Sequence, residues 1–126
     1  MSNKKTSILI VDDDPSCIAS LVKIVEDDSK TLMVANDGQS AIDAALLDTP
    51  DLILMDIDMP SMSGYEILSI LKNMNETKMI PVMFITSRDA PQDIERGMNL
   101  GAVDYVLKAG GAAVIKSRVD AQVERL

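Results

Sequence analysis

The segment LILMDIDMPSMSGYEIL (Leu52–Leu68) decides the reading of the fold. It opens on four apolar residues, Leu52–Met55, as a strand covered on both faces should. Pro60 and Gly64 then break the chain. From Ile67 the period changes: Ile67, Ile70, Leu71 and Met74 stand at i, i+3, i+4 and i+7, the spacing of one helix face. The segment is therefore a strand followed by a helix, with Asp56 and Asp58 just after the strand's carboxyl end.

The same unit recurs outward from it. Ser7–Val11, Leu32–Ala35, Val82–Ile85 and Tyr105–Leu107 are further short apolar runs read as strands. Helical stripes follow each: Ile18, Leu21, Val22 and Val25; Ala41, Ile42, Ala45 and Leu46; Ile94, Met98 and Ala102; Ile115, Val119, Val123 and Leu126. Five strand-then-helix units with short connections predict an α/β fold, a doubly wound parallel sheet of five strands with helices on both faces. The length of 126 residues suits a single domain, 1–126.

Composition excludes several function classes. The 20 acidic and 12 basic side chains give a net charge of -8, which repels nucleic-acid phosphates and anionic membranes. There is no His, hence no His-based acid–base chemistry or His-ligated metal. A single Cys excludes an internal disulfide and a CxxC site. No segment has the length of a membrane span, and the expected location is the cytoplasm. Of the nine Met, Met33, Met55 and Met83 are expected to fill the core, with Met59 and Met62 facing a partner.

In an open parallel sheet, ligands bind beyond the carboxyl ends of the strands. Asp12, Asp13 and Asp14 follow the first strand, Asp56 and Asp58 the third, Thr86 and Arg88 the fourth, and Lys108 the fifth. Clustered carboxylates raise a pKa or require a cation, and Mg2+ fits a hard-oxygen site that must also leave room for phosphate. A carboxylate, a divalent ion, a hydroxyl and an ammonium around one point suit a phosphoryl group. The plainer alternative assigns each residue separately: Asp13 or Asp14 as a helix cap, Thr86 as a strand-end residue, Lys108 as a solvated charge. Three strand ends converging on one chemistry argue against it.

The motifs ILIVDDDP (Ile8–Pro15), LILMDIDMPSMSGYEIL (Leu52–Leu68), PVMFITS (Pro81–Ser87) and GAVDYVLK (Gly101–Lys108) resemble the receiver domain of two-component response regulators. The resemblance covers nearly the whole chain and implies a flavodoxin-like strand order 2-1-3-4-5. It implies that Asp56 accepts a phosphoryl group from the phosphohistidine of a sensor histidine kinase or phosphotransfer protein. Asp13 would ligate Mg2+ directly, Asp12 through water, Asp56 by its carboxylate and Asp58 by its backbone carbonyl. Thr86 would be the switch hydroxyl, Lys108 the phosphoryl-pairing ammonium and Tyr105 the aromatic that turns inward. Tyr105 as an aromatic simply packed at a strand start is the alternative reading. The switching surface would be the fourth helix, fifth strand and fifth helix, serving a homodimer or a C-terminal output domain. That output is expected to belong to a longer regulator, a cyclic-dinucleotide enzyme or kinase-like module being one form; a stand-alone receiver is the other.

The chain departs from the family pattern where Ala109, followed by Gly110 and Gly111, replaces the usual Pro after the Lys. A cis bond before Ala costs about 2.5–4 kcal/mol, so Lys108–Ala109 is expected to be trans. Either Lys108 still reaches the site or it is placed more loosely. Two further residues bear on the lifetime of a phosphoryl group: Asp58 and Arg88 form an ion-paired lid over the site, or stand solvated and apart. Three readings compete with a phosphorylated receiver: a haloacid-dehalogenase-like phosphatase using Asp56 and Asp58, a flavodoxin-type electron carrier, and a degenerate receiver that binds without phosphorylation. The first would place its DxD motif on the first strand, and the second would need Ser, Thr or Gly where the Asp-rich loop stands. The third has only Ala109 in its favour.

Overall fold

Five strands, β1 (Thr6–Val11), β2 (Lys30–Ala35), β3 (Leu52–Met55), β4 (Val82–Thr86) and β5 (Asp104–Leu107), alternate with five helices. These are α1 (Pro15–Val25), α2 (Gly38–Asp48), α3 (Gly64–Lys72), α4 (Pro91–Asn99) and α5 (Ala112–Glu124). The structure is a computed structural model that describes residues 4–126. All neighbouring strands run parallel in the order β2-β1-β3-β4-β5. The expected doubly wound topology is thus the observed one. The three central strands are the most apolar, and β1 from Ile8 onward, β3 and β4 are fully buried. β2, an edge strand, leaves Val34 exposed.

Alternate side chains of each strand feed two cores. On one side of the sheet Leu9, Val11, Ile53, Met55, Val82 and Phe84 pack with Ala41 and Ala45 of α2 and Ile67, Leu68 and Leu71 of α3. On the other side Ile8, Ile10, Leu52, Leu54, Met83 and Ile85 pack with Leu21 and Val25 of α1 and Ile115 and Val119 of α5. Side chains alternate across a strand, so a fully apolar strand supplies both cores at once.

The helix starts are set by local chemistry. The Asp14 carboxylate caps α1 by accepting from the Ser16 N–H at 2.9 Å. That resolves which aspartate caps: Asp13 is left exposed beside the strand end. Asp37 caps α2, and Ser63 with Glu66 forms a reciprocal capping box on α3. Gly111, at φ 89°, supplies the left-handed backbone that starts α5.

Some sequence expectations shift by one helical position. Ile70, Leu46, Met98 and Leu126 are exposed, while Leu68, Gly97 and Gln122 are buried in their neighbourhoods. For α4 the reason is visible: a Cβ on Gly97 would lie 3.1 Å from the Tyr105 ring and 3.2 Å from Phe84. The helix approaches the sheet along a side with no side chain, which a hydrophobic stripe cannot reveal. Met59 and Met62, expected at a partner surface, instead pack partly buried against the core of α2 and α3. Met62 lies over Gly38, whose missing Cβ makes room for its sulfur. Among the described residues, no helix is long and apolar enough to cross a membrane.

Candidate functional site

Strand register builds the site. Val11 pairs with Met55, so Asp12 and Asp56 leave the sheet side by side. The Asp56 N–H donates to the Val11 carbonyl at 3.0 Å, extending the ladder by one residue. Thr86 pairs with Leu107, so Lys108 emerges at the same edge. Carboxylate oxygens of Asp12, Asp13 and Asp56 all lie within 4.8 Å of one another.

Lys108 ties this cluster together. Its Nζ donates to Asp12 Oδ2 at 2.9 Å and to Asp56 Oδ2 at 3.0 Å. The other Asp56 oxygen accepts from the Ile57 N–H at 2.7 Å, and Asp12 Oδ1 accepts from the Asp14 N–H at 3.0 Å. Among the described residues no buried side-chain nitrogen or oxygen lacks a partner. Ala109 therefore does not loosen the lysine. The Lys108–Ala109 bond is trans as expected, and Lys108–Gly110 forms a single 3-10 turn leading to α5.

The electrostatics follow from burial and pairing. Burial pushes the Asp12 carboxyl above its ordinary value; the Asp14 N–H and Lys108 oppose this, and the charge on Asp56 adds to it. Burial alone would lower the Lys108 ammonium, but its hydrogen bonds to Asp12 and Asp56 prevail and hold it above its ordinary value. Lys108 thus remains a cation beside Asp56. Cys17, whose Sγ lies 3.5 Å from Lys108 Nζ, has its thiol pushed up by burial and is no ready thiolate.

The remaining predicted residues form a rim. Thr86 is fully buried and its hydroxyl accepts from the Arg88 N–H at 3.3 Å. Arg88 does pair with Asp58: Nε and a terminal nitrogen meet Asp58 Oδ1 at 2.8 and 2.7 Å, and the other terminal nitrogen lies 3.4 Å from Asp93. Hydrogen bonding to Asp58 raises the Arg88 guanidinium further above its ordinary value. The pair is exposed and contributes little to stability. The Asp58 side chain pairs with Arg88 and is not one of the three clustered carboxylates. Tyr105 is buried, its hydroxyl donating to the Arg88 carbonyl at 2.8 Å.

The arrangement has close counterparts. The response regulator receiver domain profile matches residues 8–120. The chain belongs to the response regulator receiver domain family. It is 39% identical to a probable cyclic di-GMP phosphodiesterase of Vibrio cholerae over 94% of the chain and 26% of that protein. It is 33% identical to the Bacillus subtilis regulator PhoP over 98% of the chain and 50% of PhoP. The receiver thus spans between a quarter and half the length of these relatives. Among solved structures, the signal receiver domain of a Syntrophus aciditrophicus histidine kinase superposes with a TM-score of 0.85 at 31% identity, covering 96% of the receiver and 92% of that chain.

Two of the competing readings, those from other fold families, do not fit this receiver domain. A dehalogenase-type phosphatase would carry its DxD motif on the first core strand, whereas Asp56 follows β3. A flavodoxin loop would present donors where this domain presents Asp12 and Asp13. Sequence reasoning missed Gly64, Tyr65 and Cys17. Gly64 was read only as a breaker, yet a Cβ there would lie 2.2 Å from the Asp56 carbonyl oxygen. Its position eight residues after Asp56 was the one available signal.

Proposed function

We propose that this receiver takes a phosphoryl group onto Asp56 from the phosphohistidine of a sensor kinase or phosphotransfer protein. The observation that carries this is Lys108 Nζ bridging Asp12 and Asp56, with Asp13 completing a three-carboxylate cluster. Three hard oxygens of this kind fit Mg2+. Asp13 and Asp56 would hold it directly, Asp12 through water and Asp58 by its backbone carbonyl. When bound, the ion neutralises charge on the transferring phosphoryl oxygens.

The chain's own residues do the rest. One Asp56 oxygen attacks phosphorus as the P–N bond to the donor imidazole breaks, and the imidazole keeps the bonding pair. Lys108, already within 3.0 Å of that carboxylate, pairs with a phosphoryl oxygen. The Thr86 hydroxyl, which accepts from the Arg88 N–H, donates its own hydrogen to another phosphoryl oxygen, which draws the β4–α4 loop toward the site. The surface of α4, β5 and α5 then changes, and exposed Met98 and Val114 lie on it. Two copies, or an output domain, would meet there.

The lengths of the relatives support a receiver working within a longer regulator. The Vibrio cholerae relative favours a cyclic-dinucleotide enzyme as the output. Immunoblotting of source cells for this domain checks that: a single band at the receiver's own size would overturn it.

Intact mass tests the phosphoacceptor. Incubation with Mg2+ and acetyl phosphate should add one phosphoryl group, and borohydride reduction should convert Asp56 alone to homoserine. No mass gain, or conversion elsewhere, would reject the assignment. Lifetime is a separate expectation. With Asp58 and Arg88 both replaced by Ala, water reaches the acyl phosphate more freely and dephosphorylation should quicken about threefold to tenfold. An unchanged rate would remove the lid.

A further inference from the structure

Two tyrosines meet beneath the β4–α4 loop, and only one of them lies on the strand that resembles the family's switch. Tyr65, the second residue of α3, is buried, and its hydroxyl donates to the Asp93 carbonyl in the first turn of α4 at 2.9 Å. Tyr105 donates to the Arg88 carbonyl near the other end of the same loop. Both rings lie edge-on to Phe84, at centroid separations of 5.5 and 6.0 Å.

Each contact of Tyr65 has a mechanical meaning. Its neighbour Gly64 is wedged against the Asp56 backbone, and the Gly64 N–H donates to the Ile57 carbonyl at 2.9 Å. Tyr65 is thus attached by the chain to the segment carrying Asp56. On the other side the Arg96 guanidinium of α4 lies 4.2 Å from the Tyr65 ring centroid. Arg88 joins the two ends, bonding Asp58 after β3 and Asp93 on α4. Gly97 lets α4 settle onto Phe84 and Tyr105.

We propose that Tyr65 is a second positioning tyrosine of the switch, latching the first turn of α4 to the Asp56 segment while Tyr105 latches the other end of the loop. This rests on the phosphoacceptor reading above and goes beyond it by assigning the coupling to α4 to a residue outside the carboxylate site. With both hydroxyls bonded, the loop that carries Arg88 is held in the position from which the site meets a phosphoryl group. Because both rings pack edge-on to Phe84 beneath one loop, releasing one hydroxyl loosens the hold of the other.

Amide hydrogen exchange without any phosphodonor tests the latch directly. Tyr65→Phe keeps the ring and its contact with Phe84 but removes the hydroxyl. Exchange in α4, at Ile94 and Gly97, should quicken about fivefold, the size expected for one neutral hydrogen bond. Core amides of Leu9, Ile53 and Phe84 should not change. Equal acceleration throughout the sheet, or none in α4, overturns the proposal, because a merely structural tyrosine moves global stability. A second measurement uses beryllofluoride with Mg2+ as the phosphoryl mimic. Tyr65→Phe and Tyr105→Phe should each weaken its binding about fivefold, and the double variant by clearly less than the product. Multiplicative effects would show two independent residues and overturn the latch. If the wild type binds no beryllofluoride, the phosphoacceptor assignment fails, and the exchange data alone then judge the latch.

Discussion

Gly64→Ala should destabilise the domain by about 3 kcal/mol, a large share of the 5–15 kcal/mol typical of a fold. The new Cβ would sit 2.2 Å from the Asp56 carbonyl oxygen and 2.9 Å from the Ile57 Cα. Both are backbone atoms, so no rotamer change relieves the clash; either α3 or the strand end must move. Moving the strand end displaces the carboxylate of Asp56, and α3 carries Ile67, Leu68 and Leu71, all buried in one core. Gly38→Ala is the informative contrast. Its Cβ meets only side-chain atoms, the Met62 sulfur at 2.8 Å, the Met62 Cβ at 3.0 Å and the Ile67 Cγ1 at 3.3 Å; the sulfur can withdraw and the carbons need give only a few tenths of an ångström, so the cost should stay near 1 kcal/mol. Urea unfolding with a common slope measures both, and the Gly64→Ala melting temperature should fall by about 10 °C. Equal losses at the two positions would show that the wedge against Asp56 is soft.

Lys108→Ala should reduce phosphorylation by acetyl phosphate about 10²–10³-fold while raising Mg2+ affinity about tenfold. The two effects share one cause. In the wild type the ammonium is the cation that Asp12 and Asp56 share, at 2.9 and 3.0 Å. Removing it leaves the carboxylates facing one another without a counter-charge, which favours a divalent ion. It also deprives the transferring phosphoryl group of its fixed partner, which no freely exchanging ion replaces. Magnesium titration by calorimetry and single-turnover phosphorylation measure the pair. A loss of both together would mean that Lys108 positions the loop after β5 and does not act as a charge. Restoration by Lys108→Arg is expected to be partial, because the planar guanidinium cannot occupy the same point between two carboxylates.

The five strand-and-helix units were legible because their periods differ, and the strand ends because polar residues stop apolar runs abruptly. Asp12, Asp13, Asp56, Thr86 and Lys108 stand among the residues at those ends, and the resemblance to receiver domains singles them out. Their convergence was legible too, since parallel strands of similar length deliver their carboxyl ends to one edge. Which aspartate capped α1 was not, because Asp13 and Asp14 have the same side chain, and only the chain's path past Asp14 aims its oxygen at the Ser16 N–H. The outward turn of Ile70, Leu46 and Met98 was likewise hidden, because a stripe defines a face but not the angle at which a helix meets the sheet.

Three facts needed the folded chain. Replacement of the usual proline by Ala109 left the reach of Lys108 open; the backbone turn after β5 returns its ammonium to Asp56. Asp58 and Arg88 stand thirty positions apart and pair only because the loops after β3 and β4 lie side by side. No spacing in the sequence marks Tyr65, and only the placement of α4 puts a carbonyl over its hydroxyl. Sequence by itself thus determined the five strand-and-helix units, the parallel sheet and its acidic edge, because these follow from local period and from the order of elements. Tertiary structure alone decided which charges meet and which carbonyls the two tyrosines reach, because such contacts need segments far apart in the chain to lie within about 3 Å of each other.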